Sequence, residues 1–208
     1  MSSDAHIGDT SAREPLTNVP AAHFDVLQHP RRLSILEELA GDGDRRSLEE
    51  LTEAVHERNA PGADPGEDRH QVRTSLVHNH LPRLDDCGVI EWDPDAGAEL
   101  DDSFPLQAAD LSSLLEFCET ADGAETFEAV VHPVRLRICS LLSDADRPRS
   151  LDRLAGELAG TAVVDDADRA AIELHHAHLP ALDAAGVLEY DADARLVRRT
   201  DRSIPALL

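Results

Sequence analysis

Apolar residues recur at two periods along the chain, and the places where one period gives way to the other mark its elements. Val72, Leu76, Leu81 and Leu84 repeat at helical spacing and predict one long helix over Arg69 to Asp86, with Gln71, Thr74, Ser75 and His78 on its opposite, polar side. Gly88 supplies a left-handed stop. Val89 to Trp92 and Ala98 to Leu100 flank Asp93-Pro94-Asp95-Ala96-Gly97 and read as a hairpin. Upstream, Phe24 and Leu27 predict a short helix broken at His29-Pro30, where a second helix opens with proline in its first turn and carries Leu33, Leu36 and Leu39. Ser47-Leu48-Glu49-Glu50 is a capping box, and the helix behind it places Leu48, Leu51 and Val55 on one face. Pro82 leaves the His78 carbonyl without its helical donor, so a bend is expected there.

The whole plan then repeats. His29-Pro30-Arg31-Arg32-Leu33 returns as His132-Pro133-Val134-Arg135-Leu136, an offset of 103, and His78-Asn79-His80-Leu81-Pro82 returns as His176-Ala177-His178-Leu179-Pro180, an offset of 98. The first copy therefore holds five extra residues, which fall in the Pro/Gly-rich loop around Asn59 to Gly66. In the second copy, Glu125 to Leu142 supplies two helices, Ser150 caps a third, and Asp168 to Ala185 forms the long one. Val187 to Tyr190 and Arg195 to Arg199 form its hairpin. Three helices with a helix-turn-helix inside them and a terminal hairpin define a winged helix. The fold class is thus mainly α with small β wings (α+β), in two tandem winged helix-turn-helix domains. The boundaries read as a disordered leader over 1–20, a first domain over 21–103, a linker over 104–123 and a second domain over 124–208. Within the linker, Leu111, Leu114, Leu115 and Cys118 make an amphipathic helix, which either packs between the domains or mediates self-association.

Composition changes the picture of the partner. The 208 residues carry 42 acids against 19 basic residues, all arginine, for a formal net charge of −23. With few aromatics, this is the composition of a chain kept soluble in concentrated salt inside a halophile's cytoplasm; an acidic partner-binding protein from a GC-rich genome has the same one. No apolar run of membrane-spanning length exists and the N-terminus lacks a signal-peptide core, so a cytoplasmic protein is expected. Cys87, Cys118 and Cys139 lie far apart on apolar helical faces, which suits buried thiols.

The His-Pro-Arg-Arg-Leu-Ser-Ile-Leu run from His29 and its partner from His132 resemble the helix opening of arsenical-repressor-type (ArsR-like) regulators. Leu81 to Val89 and Leu179 to Val187 are similar to the end of that family's reading helix. Across both copies the chain also resembles a winged helix domain of halophilic archaea, in which a His-Leu-Pro-x-Leu-Asp-x-x-Gly-Val segment is typical. The resemblance implies a DNA-binding transcriptional regulator, with base-reading positions on the first half of each long helix: Arg69, Arg73, Thr74, Ser75, His78 and Asn79, and in the second copy Arg169 and His176. The cysteine pair of the metal-sensing members is absent from the helices at Leu48 and Leu151, so metal sensing is not implied.

Local charge supports part of this expectation. Residues 69–83 hold three arginines and no acid, whereas 167–181 hold Arg169 against Asp168 and Glu173. In the wings the balance reverses: Arg195, Arg198, Arg199 and Arg202 face one acid, and the aligned 97–104 carries Glu99, Asp101 and Asp102. A division of labour follows, with helix 69–83 in a major groove and wing 195–202 on the backbone or a minor groove of double-stranded DNA. The other reading pairs these arginines with surface carboxylates. Two copies in one chain mimic a two-fold dimer, so the partners expected are duplex DNA and, besides the pseudo-dimer, a homodimer. His78 and His80 point to different helix faces, no metal or cofactor is expected, and Arg32 and Arg135 read as structural ion-pair residues. Trp92 and Tyr190 read as hairpin packing. No catalytic motif appears. The alternative function is a protein-interaction module using winged helices that do not bind DNA.

Overall fold

The computed structural model describes residues 16, 19–58, 68–143, 147–159 and 166–200. The expected loop insertion around Asn59 to Gly66 and the wing residue Arg202 lie outside them. In the first repeat, α1 (Phe24–Leu27) and α2 (Pro30–Asp42) meet at His29, whose Nδ1 caps α2 by accepting from the Arg31 amide at 3.2 Å. Helix α3 (Leu48–Arg58) starts at the expected box: the Ser47 amide and hydroxyl both donate to Glu50, and the Glu50 amide donates back to the Ser47 hydroxyl. The long helix is α4 (Arg69–Ser75), a π-turn over Leu76–His80, and α5 (Leu81–Asp86). A hairpin of β1 (Ile90–Asp93) and β2 (Gly97–Leu100) ends the repeat.

Helix α6 (Ala108–Cys118) follows, and then the second repeat: α7 (Gly123–Val130), α8 (Pro133–Ser143), β3 (Arg149–Ser150), α9 (Leu151–Ala159), α10 (Ala167–Glu173), a π-turn over Leu174–His178, α11 (Leu179–Ala184), β4 (Leu188–Asp191) and β5 (Leu196–Arg199). The mainly helical fold with small antiparallel sheets, in two tandem repeats, is therefore as expected. Val72, Leu76, Leu81 and Leu84 are buried, and so are their counterparts Ala170, Leu174, Leu179 and Leu182.

Both glycine stops are real. Gly88 and Gly186 sit at φ +67° and +68°, and the amides of Val89 and Val187 reach back to the carbonyls of Leu84 and Leu182 at 3.0 and 2.9 Å. The bend expected at Pro82 takes the form of the π-turn. The Leu81 amide bonds to the Leu76 carbonyl, one residue further back than in an α-helix, and proline then occupies the first turn of α5, where its missing N–H costs nothing.

Four features depart from expectation. Of the expected leader, residues 1–15, 17 and 18 lie outside the described residues, while Leu16 and Val19 are buried in the core. A third strand, β3, pairs with β5 in the second sheet, and a single bridge between Arg46 and Ala98 takes its place in the first. The two hairpins differ by one residue: Trp92 pairs with Ala98 and Tyr190 with Val197, an offset of 98 on one strand and 99 on the other. The extra residue is accommodated at the turn, where Arg195 adopts φ +54°. Finally, Arg32 donates to the Asp25 backbone carbonyl at 3.1 Å while the Asp25 carboxylate is taken by Arg83, so Arg32 is not the ion-pair residue expected.

Helix α6 packs along α2 and against α7, burying Leu111, Leu114, Leu115 and Cys118. Phe104 and Leu106 of the approach to it are buried too. A second tie joins the repeats: the Gln28 side-chain amide donates to the Val131 carbonyl at 2.6 Å. No helix among the described residues is long and apolar enough to cross a membrane.

Candidate nucleic-acid interface

The start of α4 is fixed by a second capping box, in which Asp68 accepts from the Gln71 amide at 2.9 Å and Gln71 accepts from the Asp68 amide at 3.0 Å. Gln71 is thereby committed to the cap. Beyond it, Arg73, Thr74, His78 and Asn79 are exposed, as expected of a reading face. Arg73 has no ion-pair partner among the described residues. The Thr74 hydroxyl bonds its own helix, at the His70 carbonyl. Ser75 is half-buried; its hydroxyl donates to the Val72 carbonyl and accepts from Arg31 at 3.0 Å, tying α4 to α2 and removing it from the reading face.

The other described arginines of the expected site meet carboxylates or carbonyls. Arg69 bridges Glu53 at 2.9 Å and Glu49 at 3.3 Å, both on α3. Arg169 pairs with Glu173 at 2.8 Å along its own helix. Arg195 meets Asp152 at 3.2 Å, Arg198 lies 3.8 Å from Glu189, and Arg199 donates to the Ser143 carbonyl. The pairing of Arg198 has a counterpart in the first wing. There Glu91 and Glu99 stand directly across the two strands, and Arg45 neutralises both, at 3.2 and 3.0 Å. In the second wing Arg198 itself occupies the position of Glu99, opposite Glu189. Its charge balances the hairpin.

Between α3 and α4 lies a cleft of about 460 Å³ lined by Glu49, Thr52, Arg69, His70 and Arg73. Neither His70 nor the two glutamates stood out in the sequence, because α3 and α4 are separated by the loop and only the fold brings 49 and 53 beside 69.

Behind this face each repeat stacks two histidines, of which His80 is buried, His132 and His178 are half-buried and His29 is exposed. His29 and His80 rings stand 4.7 Å apart, and His132 and His178 4.9 Å apart. Burial, then the neighbouring His29, Arg31 and Arg32, pushes His80 down to about 3; burial, then His178 and Arg135, pushes His132 down to about 4. His80 is 2 % exposed while His78 faces solvent, so the two point apart as their spacing predicts. His175 bonds the Tyr190 hydroxyl, a polar contact that the indole of Trp92 does not reproduce in the first repeat. Among the described residues no three potential ligands gather as a metal site, and Cys87, Cys118 and Cys139 are free thiols.

One family's sequence model, described as a domain of unknown function (DUF7344), matches residues 24–99 and again residues 127–198. The chain belongs to this family, as a tandem pair. No curated protein and no solved structure matches it. The two DUF7344 repeats share a scaffold and differ on its exposed helix. Where the first shows Arg69, His70, Arg73, Thr74, Ser75 and Asn79, the second carries Ala167, Asp168, Ala171, Ile172, Glu173 and Ala177. Ile172 is 62 % exposed at the position of Thr74. Arg169, paired with Glu173, stands at the position of Gln71, and the exposed His176 at that of His78; with one arginine against two acids this face is less suited to phosphates than that of the first repeat.

Proposed function

We propose that the chain is a DNA-binding transcriptional regulator, not an enzyme, whose first DUF7344 repeat contacts duplex DNA through α4. The observation that carries this reading is the exposed face of Arg73, Thr74, His78 and Asn79 on a helix that, with its continuation to Arg83, bears no carboxylate. Guanidinium, hydroxyl, imidazole and amide groups around the exposed side of one helix are the donors and acceptors that major-groove edges require. The likeness to ArsR-like regulators and to halophilic winged helix domains agrees with this placement. In a salt-adapted cytoplasm the ion pair of Arg69 is a weak obstacle, since an exposed pair contributes about 0–1 kcal/mol. The second repeat then serves as scaffold, and the division of labour between helix 69–83 and wing 195–202 loses its support, because Arg195, Arg198 and Arg199 all have partners.

The second reading, a protein-interaction module, is favoured by a different observation: the pairing of Arg69, Arg169, Arg195 and Arg198 with acids on a chain of net charge −23. Selection of genomic duplex fragments by the full chain at multimolar KCl separates the two. A recurrent sequence among the retained fragments, lost with Arg73→Ala, supports the regulator; retention without sequence preference supports duplex contact but not regulation at chosen sites, and no retention supports the module.

A further inference from the structure

Arg69 and Arg73 are one helical turn apart on α4, with His70 beside them, and all three line the cleft against α3. Arg73 has no ion-pair partner among the described residues. Arg69 has two: Glu53 meets its Nε and Glu49 its Nη2, an arrangement of carboxylate oxygens around a guanidinium that matches how phosphate oxygens approach one. The fold does not require this cluster. In the second repeat Arg69 is replaced by Ala167, His70 by Asp168, Arg73 by Ala171, Glu53 by Gly156 and Thr52 by Ala155, yet α9 and α10 pack together as α3 and α4 do. The counterpart of Glu49 is Asp152, which pairs with Arg195 of the wing instead. The cluster is thus dismantled from both sides in the copy whose helix is less suited to phosphates. The exposure of the three side chains, 49 % for Arg69, 84 % for Glu49 and 48 % for Glu53, also makes the cluster a minor contributor to stability.

We infer that the α3–α4 cleft of the first repeat is a seat for a backbone phosphate of duplex DNA, and that Glu49 and Glu53 hold Arg69 as internal stand-ins which the phosphate displaces. This rests on the DNA reading above. Displacement has a thermodynamic signature. When a guanidinium moves from a carboxylate to a phosphate, cations leave the DNA but others gather on the freed carboxylates, so little net ion release accompanies the contact. Removing the carboxylates restores the full release.

The test is binding of the full chain to a labelled random-sequence duplex across a KCl series. Glu49→Gln/Glu53→Gln is expected to bind roughly two- to fivefold tighter at the low-salt end, the weight of an exposed ion pair. Its plot of log affinity against log [KCl] should steepen by about 0.9, the increment for one further phosphate. A control removes the same charge from α6 and its C-terminal end, Glu116→Gln/Glu119→Gln, and should change neither quantity as much. The inference is overturned if the control reproduces the gain, or if wild type binds and the cleft variant's slope is unchanged. Absence of binding by every variant at every salt overturns the DNA reading beneath it as well.

Discussion

Arg195 is the one non-glycine residue with positive φ among those described, and it stands where the second wing has one residue more than the first. An L-residue is strained there, and glycine is not. Its side chain compensates through an exposed pair with Asp152, worth about 0–1 kcal/mol. Arg195→Gly should therefore leave the thermal midpoint unchanged or raise it; a drop of several degrees would mean that the guanidinium holds the wing. The histidine pairs give a pH dependence. A folded-state value depressed below the unfolded one means that stability is whole above the ordinary imidazole value of 6.5. It is then lost as pH falls, until about 3 for His80 and about 4 for His132, because the unfolded chain takes protons the fold refuses. His80→Phe should flatten the decline of the melting midpoint between about pH 6.5 and 4.5, the part of that window above both depressed values. Parallel declines in variant and wild type would refute a neutral, buried His80. At this scale the sequence was least informative: that His78 and His80 point apart follows from spacing, but that Ser75 turns inward to Arg31 follows only from the approach of α2 to α4.

Helices and their ends were legible because period and caps are local. His29-Pro30, Ser47/Glu50, Gly88 and Gly186 each do what their chemistry dictates. The π-turn was legible only as a defect at Pro82, since the way a ladder re-pairs depends on the packing of Leu76 and Leu81 on either side of it. Strand β3 is two residues long and owes its existence to β5, so no local pattern announces it. Helix α6 showed its apolar face but not what covers it. The structure buries that face on α2 and α7, which predicts an intramolecular role. Leu114→Ala should cost about 2–5 kcal/mol in denaturant unfolding, as truncation of a buried leucine does, with the sedimentation coefficient unchanged. A change in sedimentation with little loss of stability would favour self-association instead.

For the molecule as a whole, duplication was plain in the sequence, and so was the uneven distribution of charge between the copies. What charge counting along the chain missed is pairing across it: the +3 of residues 69–83 and the basic wing are largely met by Glu49, Glu53, Asp25, Asp152 and Glu189, which lie on other elements. An exposed helix face centred on Arg73 remains, in one repeat only. The proposed DNA contact thus makes the molecule asymmetric, with duplex DNA on the first repeat and none on the second. It is tested most directly by duplex affinity of the full chain with Arg73→Ala and, in parallel, Arg169→Ala on the corresponding helix of the second repeat. Arg73→Ala should lose about 1–3 kcal/mol, roughly five- to 150-fold, and Arg169→Ala should change affinity less than about twofold. Equal losses, or a loss confined to Arg169→Ala, would contradict that asymmetry.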